Sequence, residues 1–292
     1  MKLQTPVIDE KCESGISFED KIMMLGSCFS DNIGKQLADF GFEVCVNPFG
    51  TLYNPVSIHN SVHLLAGEKL FTDEDCIQMG AGSDLICSFR HHTSFARKTN
   101  EEFIENANKS LEAARNFFKD CNKIIITLGT SWCFRHIPSG QIVSNCLKRD
   151  AKEFNREMLS SEETASLLKE IMEICPEKDF IFTVSPIRHF KDGAHGNQLS
   201  KASLLLGIEK AIHEMSEAKA DYFPAYEIMM DELRDYRFYA EDMCHPTSQA
   251  VDYIRERFTS WALPVEEHEK LKENIRTFKR GCHKSLNTYR QE

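Results

Sequence analysis

The stretch KIMMLGSCFSDNIGKQLADFG, residues 21–41, decides the fold. Ile22 to Leu25 is a short apolar run, the pattern of a strand buried on both faces. Gly26 interrupts it. Ser30 or Asp31 can N-cap a following helix. Ile33, Leu37 and Phe40 then recur at helical intervals, and Gly41 suits the C′ position. Ser27 and Cys28 therefore sit between the end of a buried strand and the start of a helix. In an open α/β sheet ligands bind at such strand ends, where helix N–H groups favour developing negative charge. Either residue is a candidate nucleophile, and either needs a base.

The rest of the chain repeats this alternation. Glu43–Val46, Leu85–Phe89, Lys123–Leu128, Asp179–Val184 and Asp221–Phe223 read as strands. Val56–Leu65, Asn100–Lys119, Lys152–Ile174 (broken near Ser160), Leu199–Ser216 and a segment from Pro246 through Trp261 read as helices. Trp132–His136 and Gln141–Ser144 flank Pro138-Ser139-Gly140 as a hairpin. The strong strands are continuous and rich in Ile and Val, as parallel strands covered on both sides are. The expected fold class is α/β: a parallel, doubly wound sheet of about five strands between two helical layers. Repeats and low-complexity linkers are absent from the sequence. One elaborated domain is expected over residues 1–262, with a charged helix and basic tail at 263–292.

Composition narrows the function. The chain has 292 residues, 41% hydrophobic and 27% charged, with a formal net charge of −10. That balance argues against nucleic acid, whose phosphates need basic clusters. No apolar run approaches the ~20 residues that span a bilayer. Met1–Lys11 has no apolar core of a secretory signal, so a cytoplasmic location is expected. The 11 cysteines are odd in number and lack Cys-x-x-Cys spacing, and several, such as Cys45, Cys87 and Cys133, lie in apolar runs. They read as reduced small hydrophobes rather than disulfides or a zinc site. His59 and His63 fall at i, i+4 and could share a metal. No acidic third ligand is evident in the sequence, so they read as a surface or satisfied pair, and no metal or organic cofactor is expected.

A serine hydroxyl becomes a nucleophile when a base takes its proton, and the base works best when a carboxylate orients it. Two Asp-x-x-His pairs offer this: Asp242 with His245, and Asp192 with His195. Pro246 suits helix position N1, which would put His245 near a helix start. Spacing alone leaves the two pairs equal.

The blocks Gly26-Ser27-Cys28-Phe29-Ser30, Asn47-Pro48-Phe49-Gly50-Thr51, Leu128-Gly129-Thr130-Ser131-Trp132, Val184-Ser185-Pro186-Ile187-Arg188-His189 and Asp242 to Pro246 together resemble the GSCFA-domain family. Ser30 stands where the family's name has Ala. That family is similar to the SGNH/GDSL hydrolases, which are α/β/α sandwiches with a flavodoxin-like sheet. The resemblance implies that Ser27 is the nucleophile, and that Asp242 and His245 complete a triad, which breaks the tie. It implies oxyanion-hole donors at Ser27 and Gly50. The SGNH third block is Gly-x-Asn-Asp; here Ser131 takes the Asn position, with Asn47 or Asn54 as possible substitutes from the neighbouring loop.

His92 and Asn197 are expected to line the substrate site. Arg188, His189 and Lys201 also follow strand ends; for Arg188 and Lys201 a surface role weighs equally. The expected activity is hydrolysis of an acyl ester, an O-acetyl carbohydrate by family analogy. Acyl transfer by the same triad and a non-catalytic SGNH-like binding module are the alternatives. The sequence leaves the oligomeric state open.

Overall fold

The computed structural model describes residues 5–7 and 12–288, with side chains as far as Cys282. The strands, in chain order, are β1 (Lys21–Gly26), β2 (Glu43–Val46), β3 (Ile77–Gln78), β4 (Ile86–Cys87), β5 (Lys123–Leu128), β6 (Trp132–His136), β7 (Ile142–Val143), β8 (Phe154–Met158), β9 (Asp179–Val184) and β10 (Ala220–Phe223). Five of them, β1, β2, β5, β9 and β10, form one parallel sheet in the order β10-β9-β5-β1-β2. This is the flavodoxin-like arrangement. The helices are α1 (Cys28–Asp39), α2 (Pro55–Ala66), α3 (Asn100–Asp120), α4 (Ser161–Ile174), α5 (Gly193–Glu214), the short turn α6 (Ala225–Glu227), α7 (Ser248–Ala262) and α8 (His268–Thr288).

The strands are apolar throughout because alternate residues feed two cores. Met23, Leu25, Ile124, Ile126, Phe180 and Phe182 face α2 to α5. Ile22, Met24, Ile125, Ile181 and Phe223 face α1, α7 and the start of α8. Helix α1 shows how the pattern fixes position. Its Ile33 and Leu37 point into the second core, and Gly41 ends it at φ +95, a conformation glycine adopts freely. Leu37 is fully buried, so truncating it to Ala would cost about 2–5 kcal/mol.

The expected architecture is present, with three local differences. First, α1 begins three to four residues earlier than expected, and its N-cap is Ser27 itself. Second, the long helix expected from Lys152 is in fact β8 followed by α4. β8 pairs antiparallel with β6, and Ser160 and Glu163 close a capping box that starts the helix afresh. Third, the Leu85–Phe89 segment supplies only β4, which pairs with β3 outside the central sheet. The expected hairpin appears as β6 and β7. Among the described residues no helix is long and apolar enough to cross a membrane.

From β1 the chain winds one way to β2 and then crosses back to β5, on β1's other side. The topological switch point thus lies between the ends of β1 and β5, the crevice where such sheets bind ligands.

Candidate active site

Ser27 stands at that switch point. Gly26 makes the turn possible: its φ is +145, and a Cβ there would lie 2.2 Å from the Thr127 carbonyl oxygen on β5. The Asn47 side chain holds the same turn, its Oδ1 accepting the Gly26 N–H at 2.8 Å while its Nδ2 donates to Asp31 at 2.6 Å. Ser27 is 1% exposed. Its Oγ accepts the Phe29 N–H at 3.3 Å, and its own N–H donates to the Thr127 carbonyl at a long 3.3 Å. The neighbouring Cys28 is half-buried against the second core. Burial, with the charge of Asp31, pushes its thiol pKa up, which disfavours the nucleophilic thiolate.

Only one of the two Asp-x-x-His pairs forms. Asp242 Oδ2 meets His245 Nδ1 at 2.5 Å, and Asp242 Oδ1 accepts the backbone N–H groups of Cys244 and His245, both at 2.9 Å. These bonds hold the Asp242 carboxyl down to a pKa of about 2, the backbone donors contributing most. Nε2 of His245 is thereby left as the free ring nitrogen. The loop carrying it is tied to the strand-end loop after β9, where the Arg188 N–H donates to the Cys244 carbonyl at 3.3 Å. Asp192 instead pairs with Arg156, and His195 lies exposed in the first turn of α5. No hydrogen bond joins Ser27 Oγ to His245 Nε2: Ser27 Oγ accepts the Phe29 N–H, which leaves its own proton to donate, and His245 meets Asp242 through Nδ1.

Two of the expected oxyanion donors, Gly50 and Ser131, have partners within the fold. The Gly50 N–H donates into its own turn, to the Asn47 carbonyl at 2.7 Å. Ser131 is fully buried; its N–H and its hydroxyl both donate to Ser200 Oγ, at 2.8 and 3.2 Å. Asn54 offers what Ser131 lacks. Its Oδ1 caps α2 by accepting the Ser57 N–H at 2.9 Å, and its Nδ2 has no hydrogen-bond partner among the described residues. Asn54 follows Tyr53, whose carbonyl accepts the N–H groups of Gly129 and Thr130 at 2.8 and 3.1 Å. That clamp sets Asn54 against the end of β5.

His92 packs on the loop after β2: the space where a Gly50 Cβ would stand is filled by its own Cβ, 2.4 Å away. Asn197 is buried and braces the loop after β9, its Oδ1 accepting the His189 N–H at 2.9 Å. His189 turns its ring toward Tyr53, 6.2 Å between centroids. Its Nε2 is buried without a partner. Burial, then the charges of Lys201, His245 and Arg156, push its pKa down to about 4, so the ring is neutral near pH 7. Lys201 is buried rather than on the surface. Its Nζ donates to the carbonyls of Gly129 and Ser185 at 2.7 and 2.8 Å, fastening together the ends of β5 and β9. Burial pushes its pKa down to about 7. Sequence reasoning missed the bracing roles of Ser200 and Tyr53, because a serine within a helix and a backbone carbonyl carry no local signal.

The flavodoxin-like sheet thus carries Ser27 at its switch point, and the Asp242–His245 pair lies on a loop tied to the segment after β9. The chain belongs to the GSCFA family: the family's profile matches residues 21–258, from β1 through most of α7. No curated protein sequence gives a significant match. Among solved structures the fold is similar to a Clostridium thermocellum family 3 carbohydrate esterase, at 9% identity and TM-score 0.40, over 87% of this chain and 98% of that one. It is also similar to an acetyl xylan esterase, Est2A, from the rumen bacterium Butyrivibrio proteoclasticus, at 10% identity and TM-score 0.40, over 84% of this chain and 64% of that one.

Proposed function

We propose that the chain is a serine esterase of the SGNH type. Ser27 attacks the acyl carbon, His245 Nε2 takes the Ser27 proton and returns it to the leaving alcohol, and Asp242 orients the imidazole and stabilises its charged form. Water then attacks the acyl-serine by the same route in reverse. The observation that carries this reading is the Asp242–His245 contact at 2.5 Å, formed while the rival Asp192 is taken by Arg156. Ser27 Oγ caps α1 as an acceptor, so its proton remains available to Nε2, and such catalytic contacts commonly tighten only when substrate binds.

The N–H of Ser27, at the start of α1 and only loosely held by Thr127, is a suitable oxyanion donor. In place of Gly50 and Ser131, the Asn54 amide supplies the second donor. The neutral His189, with its unpartnered Nε2, is suited to a hydroxyl of the alcohol part. An acyl ester of a carbohydrate is the substrate class, an O-acetyl group the first candidate.

A second reading is a binding module without turnover. It is favoured by the occupied Gly50 N–H and Ser131 hydroxyl. A screen of p-nitrophenyl esters of increasing acyl length separates the two. The esterase reading requires turnover that Ser27→Ala removes; turnover that persists in Ser27→Ala refutes it.

A further inference from the structure

Helix α2 places His59 and His63 one turn apart on one face, and α4 packs against that face with Glu170. His63 Nε2 lies 3.2 Å from His59 Nε2, which in turn lies 2.9 Å from Glu170 Oε2. The His59 side chain is only 12% exposed, whereas His63 and Glu170 are open to solvent. We propose that His59, His63 and Glu170 form a binding site for a divalent transition-metal ion of the zinc type.

The argument begins with what a ring nitrogen can do. A neutral imidazole Nε2 carries either one proton or one lone pair. His59 Nε2 nevertheless has a nitrogen on one side and a carboxylate oxygen on the other, both within hydrogen-bond distance. One hydrogen cannot serve both neighbours well. A cation resolves the conflict, because it accepts a lone pair from all three groups at once. The spacing suits it: ligands ~2.0–2.2 Å from a tetrahedral zinc stand roughly 3.3–3.5 Å from one another. The observed separations of 3.2 and 2.9 Å need only a slight spreading. All three candidate ligand atoms already lie within 4.8 Å of one another.

The donor set selects the ion. Two imidazoles and one carboxylate match zinc and its neighbours rather than magnesium or calcium, which prefer oxygen. Three protein ligands leave the fourth position to solvent, on the open side where His63 and Glu170 lie. The ion would join α2, whose N-cap is Asn54 at the proposed oxyanion hole, to α4. The site remains a binding site on this argument and takes no part in the proposed ester chemistry.

The test uses the untagged full-length chain, stripped with a chelator and titrated with Zn2+ by calorimetry and with Co2+ by visible absorption. His63→Ala and Glu170→Gln are suitable variants because both side chains are exposed. One Zn2+ per chain is expected to bind, raise the melting temperature and resist displacement by excess Mg2+. Each variant should weaken binding by at least ~10-fold, as even lost outer partners of a metal do. Co2+ should give ligand-field bands without the near-ultraviolet charge transfer of thiolate ligands. Failure to bind, binding unchanged in both variants, or a thiolate band, which would place the ion on cysteines, would each overturn the proposal.

Discussion

The Cβ that Gly26 lacks would stand 2.2 Å from the carbonyl oxygen of Thr127 on the neighbouring strand. The two residues are register partners in the β1–β5 ladder, so neither can move without opening the sheet at the switch point. Gly26→Ala would meet both this overlap and a φ of +145 that side chains avoid. Backbone strain and overpacking each cost about 1–3 kcal/mol. We expect a destabilisation of at least ~2 kcal/mol by urea denaturation. A change below ~0.5 kcal/mol would mean that the turn is not fixed as described.

Asn54 performs two tasks with two ends of one side chain. Its Oδ1 caps α2, and its free Nδ2 is the proposed oxyanion donor. Asn54→Asp keeps the cap and removes the donor, whereas Asn54→Ala loses both. Asn54→Asp should therefore melt near the wild-type temperature while kcat falls ~10²–10³-fold. Asn54→Ala should also lose about 1 kcal/mol of stability. An unchanged kcat in Asn54→Asp would assign the oxyanion to other donors.

The two residues of the turn should separate cleanly. Cys28→Ala is expected to keep most activity and lose on the order of 1 kcal/mol, as a small partly buried truncation does. Iodoacetamide should react slowly, since burial raises the Cys28 pKa. Ser27→Ala removes the nucleophile and the α1 N-cap together, so about 1 kcal/mol of stability goes with the activity. A dead Cys28→Ala beside an active Ser27→Ala would make this a thiol enzyme.

Stability should fall on acidification before the carboxylates titrate. His91 is fully buried among Phe71, Phe95 and Phe103, and Nδ1 meets Ser88 Oγ at 2.7 Å. Burial pushes its pKa down from 6.5 to about 3. The unfolded chain therefore takes up this proton first. The contribution is complete above pH ~6.5 and is lost as pH falls toward ~3, at up to ~1.4 kcal/mol per pH unit. His91→Phe keeps an aromatic ring without the proton site. Unfolding free energies measured between pH 6.5 and 5 should fall less steeply in this variant, by close to one proton, whatever its absolute stability. Equal slopes would contradict a buried neutral His91.

What the sequence made legible follows from the range of the interactions involved. The strand–turn–helix at residues 21–41 reads from local periodicity, because the two cores take alternate strand residues and every fourth helical one. β8 carries no strand signal of its own because its pattern makes sense only beside β6, some 20 residues earlier in the chain. The N-cap lies at Ser27, earlier than propensity alone implies, because Gly26 turns the chain sharply. The choice between Asp192 and Asp242 was closed to spacing, since Arg156 occupies Asp192 from another element. Glu170 lies 111 residues from His59, beyond any local motif.

The central claim is that Ser27 is an activated nucleophile, and a fluorophosphonate probe tests it most directly. Only a serine with a working base is expected to react. Intact mass followed by peptide mapping should show one adduct per folded chain, on Ser27, that His245→Ala reduces sharply and Ser27→Ala abolishes. Folded protein that takes no label, or takes it at another residue, would contradict the account.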